Sequence, residues 1–333
     1  MGVNSGDPVA PTRTTGGRTR RLVRGRTAGC LLATAVLAAT VLGACSSGGG
    51  VSVGNGGPDE LFAETASFEV IAGKAQRVMV GLSTKDGRVV HGGTVSLTLR
   101  PASGGRSLRA TASYLPVQQP TPAPAVATLG RPSEGIGVYG ATITFPAAGF
   151  WTMQVDTHLA GATRHSEAAV EVLVTRRVPD VGEKAPRTHN PVLTTPGVSP
   201  AQLDSLGEPL FDEALHHDVI ADVIAAKRPL VIVVSTPAFC KSRFCGPVTT
   251  AVNDLAVAAK AANSTVAFVH LEVWRDFAAQ TVNRSAAEWI LPNGAEGNEP
   301  WVFVVDRTGL ITARFDNVVP LDQLKNAIAA AQR

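Results

Sequence analysis

The chain has 333 residues, of which 44% are hydrophobic and 17% are charged, and its formal net charge is +3. This composition excludes a wholly disordered chain and leaves room for two hydrophobic cores. Residues 1–44 hold six of the 30 basic residues and one of the 27 acidic residues, so 24 basic and 26 acidic residues follow them. The net charge of −2 beyond residue 44 gives no support to nucleic-acid binding, and we expect no nucleic-acid partner.

The first 44 residues have the pattern of an export signal. Five arginines between residues 18 and 26 precede the apolar run 31–41, which is shorter than the roughly 20 residues of a spanning helix. The sequence Leu42-Gly43-Ala44-Cys45 then resembles the lipobox of bacterial lipoproteins. That resemblance implies cleavage before Cys45, lipidation of Cys45 and anchoring on the extracytoplasmic face of the cell membrane. An ordinary signal peptide followed by a chance cysteine is the alternative.

The next two segments are a predicted tether and a predicted β-domain. Residues 45–60 are rich in Gly, Ser and Asn, which indicates a flexible tether. Over residues 61–176, short alternating runs separated by turn residues predict a β-sandwich. Residues 139–156, a strand followed by Pro-x-x-Gly and an aromatic strand, resemble the immunoglobulin-like sandwiches of bacterial exported proteins.

Residues 177–209 are predicted to be a linker. Proline fixes the backbone angle φ and removes an amide donor, so a Pro-rich segment favours extended structure. Its prolines are Pro179, Pro186, Pro191, Pro196, Pro200 and Pro209. Residues 181–186 resemble the entry segment of redoxin-type thioredoxin folds, which implies that part of the linker lies on the following domain.

Residues 210–333 alternate predicted strands and helices in the order β-α-β-α-β-β-α, after a short first helix. That first helix is expected at 219–227, with Asp218 as its N-cap. A continuous apolar run at 230–235 indicates a strand that is buried on both faces. The remaining strands are predicted at 265–274, 301–306 and 310–315. The remaining helices are predicted at 247–262, at 277–290 with an interruption, and at 321–328.

Two cysteines stand between the apolar strand and the helix that follows it. Residues five apart on one α-helix have Cα atoms about 8 Å apart, whereas a disulfide tolerates about 7 Å. Cys240 and Cys245 can therefore pair only if Cys240 lies in a non-helical turn before the helix. Export from the cytoplasm would permit such a disulfide.

The cysteine pair at a strand–helix junction, the dipeptide Glu299-Pro300 before the third strand and the final hairpin and helix resemble the thioredoxin family over residues 210–333. The resemblance implies an α/β thioredoxin-like domain with Pro300 as a cis-proline facing the cysteines. It also implies thiol–disulfide exchange on exported thiol or disulfide proteins, without a dissociable cofactor. The predicted catalytic residues are Cys240, Cys245 and Pro300.

The sequence leaves open which sulfur attacks. Phe239-Cys240 resembles the Trp-Cys pair of thioredoxins, which makes Cys240 the nucleophile. The run from Phe244 to Pro247 resembles the aromatic-Cys-Gly-Pro part of the same motif, and the helix dipole favours a thiolate at Cys245.

Two alternatives to redox activity remain. The pair can be a structural disulfide in a domain that acts as a binding scaffold. The fold also resembles Sco-type copper chaperones, which use a Cys-x-x-x-Cys-Pro loop and a distal histidine just before the strand that begins here at Trp301. This chain has Asn298-Glu299-Pro300 at that place. His270, which shares a strand face with Glu272, is expected to be a packed or surface histidine instead of a metal ligand.

Overall fold

The computed structural model describes residues 60–118, 123–292, 295 and 297–333. The predicted signal peptide, the lipidation site Cys45 and the tether up to residue 59 lie outside the described residues. Within the described ranges, no helix is long and apolar enough to cross a membrane. The described chain is mostly β-structure, arranged in three sheets.

The first sheet has ten strands and fits a β-sandwich. Its strand order is β2-β10-β9-β5-β6-β8-β3-β4-β7, with β1 paired to β3, and all its pairings except β2 with β10 are antiparallel. The strands are β1 Leu61–Thr65, β2 Val70–Ile71, β3 Ala75–Thr84, β4 Val89–His91, β5 Thr94–Pro101, β6 Leu108–Gln118, β7 Thr128–Gly130, β8 Ile136–Thr144, β9 Gly149–Leu159 and β10 Ala162–Leu173.

The alternation in the sequence places one set of side chains of this sheet in its core. In β5, Val95, Leu97 and Leu99 are buried, whereas the residues between them are more exposed. This is the period of two that a strand with one covered face requires. The predicted alternation is confirmed for this strand.

The second half of the described chain contains the other two sheets and all five α-helices. The strands are β11 Leu230–Ser235, β12 Ala267–Glu272, β13 Trp274–Asp276, β14 Thr281–Val282, β15 Trp301–Val305 and β16 Ile311–Asp316. The helices are α1 Pro200–Leu203, α2 Ile220–Ala225, α3 Cys245–Ala261, α4 Arg284–Ile290 and α5 Leu321–Ala331. The main sheet has the order β12-β11-β15-β16, and β13 pairs only with β14.

Strand β11 is the centre of the four-stranded sheet and is buried at all six positions. It runs parallel to β12 and antiparallel to β15. One face of the sheet packs against residues of α2 and α4, and the other face packs against α3 and α5. Because both faces are covered, the strand has the continuous apolar sequence that was predicted to be buried.

The predicted helix at 277–290 is wrong in its first half. The chain forms the β13–β14 hairpin there, and α4 begins only at Arg284. The side chain of Asn283 caps this helix by accepting a hydrogen bond from the amide of Ser285 at 3.0 Å. Gln280 has a left-handed backbone with φ of 52°, which ends any helical path before that cap.

The predicted N-cap of α2 is also wrong. Val219 holds the cap position, and the carboxylate of Asp218 instead pairs with Arg228 at 3.0 Å. The first amide of the helix, that of Ile220, donates to Oδ1 of Asn190 at 2.9 Å. Asn190, a residue of the predicted linker, thus pairs with the first amide of α2, a role that the sequence assigned to the neighbouring residue Asp218.

The predicted linker packs on the second sheet instead of running free of it. The amide of Gly182 donates to the carbonyl of Ile311 at 2.8 Å, and the amide of Ile311 donates to the carbonyl of Glu183 at 2.9 Å. The indole N–H of Trp289 donates to the hydroxyl of Thr188 at 3.0 Å. This segment therefore lies along β16 and on α4, as the sequence predicted for part of it.

Glu69 joins the ten-stranded sheet to the second sheet. It is 9% exposed and accepts hydrogen bonds from the amides of Arg177 at 2.8 Å and Val178 at 3.1 Å. Its other oxygen accepts from the guanidinium of Arg314 on β16 at 2.8 Å. The guanidinium carbon of Arg314 also lies 4.6 Å from the ring centroid of Trp301. The buried carboxylate of Glu69 therefore has hydrogen-bond partners both in the segment after β10 and on β16.

The segment before Glu69 makes a second set of contacts with β16 and the residues after it. The amide of Phe68 donates to Asp316 at 2.7 Å, and the side chain of Asn317 donates to the carbonyl of Ala66 at 2.8 Å. The ring of Phe68 lies 5.7 Å from that of Trp301. Burial raises the pKa of Asp316, although the amide of Phe68 stabilises its charged form.

We expect the substitution Glu69→Gln to lower the free energy of unfolding by about 2 kcal/mol. Glutamine can still accept a backbone hydrogen bond, but it does not neutralise the buried guanidinium of Arg314. Urea unfolding followed by circular dichroism measures the effect. Glu64→Gln, which changes an exposed glutamate on β1, is the matched control, and equal losses in the two variants would contradict the proposed importance of Glu69.

Candidate functional site

Cys240 and Cys245 form a disulfide, and their Cα atoms are 5.9 Å apart. Strand β11 ends at Ser235 and α3 begins at Cys245, with no helix between them. Arg243 in the connecting turn has φ of 64°, a left-handed conformation that is uncommon for arginine and reverses the chain direction. The non-helical turn that the five-residue separation requires is confirmed.

The two sulfurs have different surroundings. Cys245 is 0% exposed, whereas Cys240 is partly exposed. The amide of Cys245, at the start of α3, donates to the sulfur of Cys240 at 3.3 Å, and the hydroxyl of Ser242 lies 3.4 Å from the same sulfur. Because this amide belongs to the unpaired N–H groups of a helix N-terminus, the helix acts directly on Cys240. The sequence-based expectation had assigned the helix effect to Cys245.

Glu299 and Pro300 lie beside the disulfide turn. The peptide bond between them is cis, and the hydroxyl of Ser242 donates to the backbone carbonyl of Glu299 at 3.4 Å. A carboxylate oxygen of Glu299 and the sulfurs of Cys240 and Cys245 all lie within 4.8 Å of one another. The structure thus brings together the loop and the dipeptide that the sequence singled out.

Glu299 was identified in the sequence only as the residue before Pro300, without a chemical role. Its burial raises the pKa of its carboxyl group to about 7, while the charge of Lys241 lowers that pKa and the charge of Glu272 raises it. A carboxyl group with this pKa exchanges a proton near neutral pH. The position of an acidic residue directly before the predicted cis-proline is the sequence feature that could have indicated this role.

An exposed aromatic surface, formed by Phe239, Phe277 and Trp274, lies next to Cys240. The rings of Phe239 and Phe277 stack with centroids 4.0 Å apart, and Trp274 contacts Phe277 edge-on at 5.5 Å. Phe239 is 38% exposed and Phe277 is 39% exposed. The β13–β14 hairpin supplies two of these rings, so the wrongly predicted helix concealed this surface.

His270 is a packed histidine, as predicted, and does not reach the cysteine loop. It is 3% exposed. Its Nδ1 lies 2.7 Å from Oδ2 of Asp212, and its Nε2 lies 2.9 Å from the hydroxyl of Ser235. Among the described residues, the group at the cysteine loop that could hold a metal ion is Cys240, Cys245 and Glu299, without a histidine of the kind a Sco-type copper site uses.

His270 belongs to a buried His–Asp cluster, consisting of Asp204, Asp212, His216 and His270, that sequence reasoning missed. Oδ1 of Asp212 lies 3.0 Å from Nε2 of His216, and Oδ2 of Asp204 lies 3.7 Å from Nδ1 of His270. Burial alone would lower the pKa of His270, but Asp212, with help from Glu272 and Asp204, raises it to about 9. Asp212 and His216 are close together in the sequence, but His270 lies on the distant strand β12, so no local pattern indicates the whole cluster.

The residue after Asp204 connects this cluster to the backbone before the cysteine loop. The amide of Ser205 donates to Glu272 at 2.8 Å. The hydroxyl of Ser205 accepts a hydrogen bond from the amide of Ala238 at 3.0 Å. Ala238 lies two residues before Cys240, so the segment that carries Asp204 supports the start of the loop.

Among the predicted site residues, Cys240 and Cys245 are bonded, Pro300 follows Glu299 beside them, and Cys45 lies outside the described residues. No model of a known protein family matches the chain, and no curated protein matches it.

We expect Glu299 to make the stability of the oxidised protein depend on pH. A carboxyl group whose pKa is raised on folding stabilises the fold below its ordinary pKa of 4.5, and this contribution is lost as the pH rises through about 7. Wild type should therefore lose stability relative to Glu299→Gln between roughly pH 5 and pH 8. Lys241, Glu272 and the two sulfurs are the charged or reactive groups that face this carboxyl group.

Unfolding midpoints of the two proteins across this pH range measure the effect. The difference between them should change steadily between pH 4.5 and about pH 7, where the carboxyl group is ionised in the unfolded chain and neutral in the fold, and should level off at higher pH. A difference that stays constant over the whole range would contradict the raised pKa.

Proposed function

We propose that the protein is a lipid-anchored, extracytoplasmic thiol–disulfide oxidoreductase with an immunoglobulin-like domain and a C-terminal thioredoxin-like domain. The observation that carries this proposal is the disulfide at the N-terminus of α3, with one buried sulfur and one partly exposed sulfur. Reactive cysteines are partly exposed and lie near helix N-termini or positive charges. Cys240 meets both conditions.

The strand order of the four-stranded sheet supports the thioredoxin-like assignment. The central strand β11 leads through α3 to the parallel strand β12, and the antiparallel strands β15 and β16 follow before α5. Helices cover both faces of this sheet. The cysteines stand where β11 passes into α3, which is the position the family resemblance assigns to them.

The sulfur of Cys240, the partly exposed cysteine of the pair, is the proposed point of exchange. A thiolate of the partner attacks this sulfur, an S–S bond to the partner forms, and the bond to Cys245 breaks with Cys245 leaving as the thiolate. A second partner thiolate then attacks the partner's own sulfur and releases Cys240. The partner loses two electrons and two protons, and the cysteine pair gains them. The reverse sequence, which begins with attack by Cys240, reduces a partner disulfide.

Glu299 is the proposed proton carrier for this exchange. Its carboxyl group lies close to both sulfurs, and its raised pKa of about 7 lets it hold or release a proton near neutral pH. When Cys245 leaves, the protonated carboxyl group can donate to its sulfur. In the reverse direction the carboxylate takes that proton back, so that Cys245 can attack the mixed disulfide as a thiolate.

The aromatic surface of Phe239, Phe277 and Trp274 supports a polypeptide partner. Exposed stacked rings beside a reactive sulfur favour chain segments with apolar side chains around their cysteine. Exported thiol or disulfide proteins present such segments before they fold. The proposed location at the cell membrane rests on the lipobox at Cys45.

A second candidate function is metal handling at the cysteine loop. The two sulfurs and a carboxylate oxygen of Glu299 lie close enough together to share an ion when the disulfide is reduced. Two thiolates are suitable ligands for Cu(I). Binding of one Cu(I) per reduced chain with sub-nanomolar affinity, lost in the double variant Cys240→Ser, Cys245→Ser, would favour this function over exchange.

We expect Cys245→Ser to accumulate a mixed disulfide with a disulfide substrate such as oxidised insulin, because the thiolate of Cys240 can still attack the substrate disulfide and release its second sulfur, but nothing resolves the product. Cys240→Ser should trap none, since the remaining sulfur is buried. The double variant should reduce insulin at the background rate, at least about a hundredfold below wild type. Mass spectrometry of trapped adducts and an insulin turbidity assay provide the readouts. Equal activity of wild type and the double variant would contradict the enzyme and favour a binding scaffold.

We expect the reduction potential of the Cys240–Cys245 pair to lie above about −300 mV, because structural disulfides in exported proteins lie below that value. Equilibration with dithiothreitol buffers of known potential, followed by alkylation and mass measurement, gives the value. A potential well below −300 mV would identify a structural bridge without turnover.

A further inference from the structure

We propose that the buried His–Asp cluster binds one divalent transition-metal ion, with Zn²⁺ as the ion it fits best. The ligands are Asp204, Asp212, His216 and His270. This site is separate from the cysteine loop and does not depend on the proposed redox function.

The separations between the donor atoms fit a shared ion. One ligand atom from each of Asp212, His216 and His270 lies within 4.8 Å of the other two. The distance from Asp212 to His216 is 3.0 Å, and that from Asp212 to His270 is 2.7 Å. Donors bound to one tetrahedral Zn²⁺ at about 2.0–2.1 Å are about 3.3 Å apart. The two short distances involve different oxygens of Asp212, and Oδ2 of Asp204 lies 3.7 Å from Nδ1 of His270, so the four side chains must shift toward a common centre to bind one ion.

The hydrogen bonds behind His270 are those of a metal ligand. Its Nδ1 faces the aspartates, while its Nε2 lies 2.9 Å from the hydroxyl of Ser235 and 3.3 Å from the carbonyl of the same residue. Metal-binding histidines usually donate their other ring N–H to a carbonyl or carboxylate, which fixes the ring and its tautomer. Ser235 supplies that acceptor here.

Asp204 provides an independent indication that something is bound. Its Oδ2 is buried and has no hydrogen-bond partner among the described residues, although it lies 3.7 Å from Nδ1 of His270. Asp204 and Asp212 are both 0% exposed. A buried carboxylate oxygen without a partner is costly. A divalent ion that takes the place of the proton on His270 balances the charges of both aspartates and gives the unpartnered oxygen of Asp204 a ligand bond.

The burial of the cluster indicates a structural ion instead of a catalytic one. All four ligands are at most 3% exposed, and four protein donors leave no open coordination position for a substrate. Such an ion enters as the chain folds. It would join the loop after α1 and the segment around His216 to β12, because His270 lies on that strand.

The test measures zinc in the full chain, purified in detergent without chelators or metal-affinity resin. Wild type should contain about one Zn²⁺ per chain by elemental mass spectrometry, or take up one when refolded with Zn²⁺. The Cys240→Ser, Cys245→Ser double variant is the matched control and should keep the ion. Asp204→Asn should bind Zn²⁺ more than about 100-fold more weakly, beyond the usual cost of losing an outer-shell partner.

The thermal stability of wild type and Asp204→Asn, with and without Zn²⁺, separates the two possibilities. If an ion is bound, a chelator added during refolding lowers the melting temperature of wild type and added Zn²⁺ restores it, whereas both additions have little effect on the variant. A wild-type melting temperature that responds to neither addition would overturn the proposal. Absence of zinc both after purification and after refolding with Zn²⁺ would also overturn it.

Wild type refolded with Co²⁺ needs no variant and remains informative if Asp204→Asn fails to fold. The site predicts the intense visible absorption of tetrahedral Co²⁺ with nitrogen and oxygen ligands, without thiolate charge-transfer bands. Thiolate bands that disappear in the cysteine double variant, with no other cobalt signal, would place the ion at the cysteine loop and reject the cluster.

Discussion

Strand β11 is buried at all six positions, so the chain must cover both of its faces. Helix α3 packs on one face and α4 on the other, so the chain leaves the sheet beyond the carboxyl end of the strand. At that end Ser235 contacts His270, and the loop to Cys240 begins. The position of the disulfide is therefore a consequence of covering one apolar strand.

Local features of the sequence were sufficient for part of the fold. The alternation in β5 and the apolar run of β11 predicted their burial, and the separation of Cys240 and Cys245 predicted the non-helical turn. The helix predicted at 277–290 wrongly included β14 and the turn that precedes it. The left-handed backbone of Gln280 and the N-cap at Asn283 determine that α4 begins only at Arg284. The sequence alone does not distinguish such an N-cap from an ordinary polar residue.

The groups that sequence reasoning missed depend on contacts between distant segments. Asp204 and Asp212 meet His270 only because the chain after α1 folds onto β12. The pKa of Glu299 depends on burial that no local pattern reveals. Glu69 follows the same principle, since it joins the sandwich to Arg314. In each case a charged group is accommodated by partners far away in the chain, which is how buried charges are usually tolerated.

The segment along β16 also has a protective effect. Strand β16 is an edge of the four-stranded sheet, and the backbone around Lys184 pairs with it through Ile311. An uncovered edge offers free amides and carbonyls to another copy of the chain and promotes aggregation. A fragment that began at residue 210 would expose this edge and remove Asn190 from the start of α2. The proline-rich segment thus belongs to the same folding unit as the sheet it covers. We expect a fragment that lacks this segment to lose solubility.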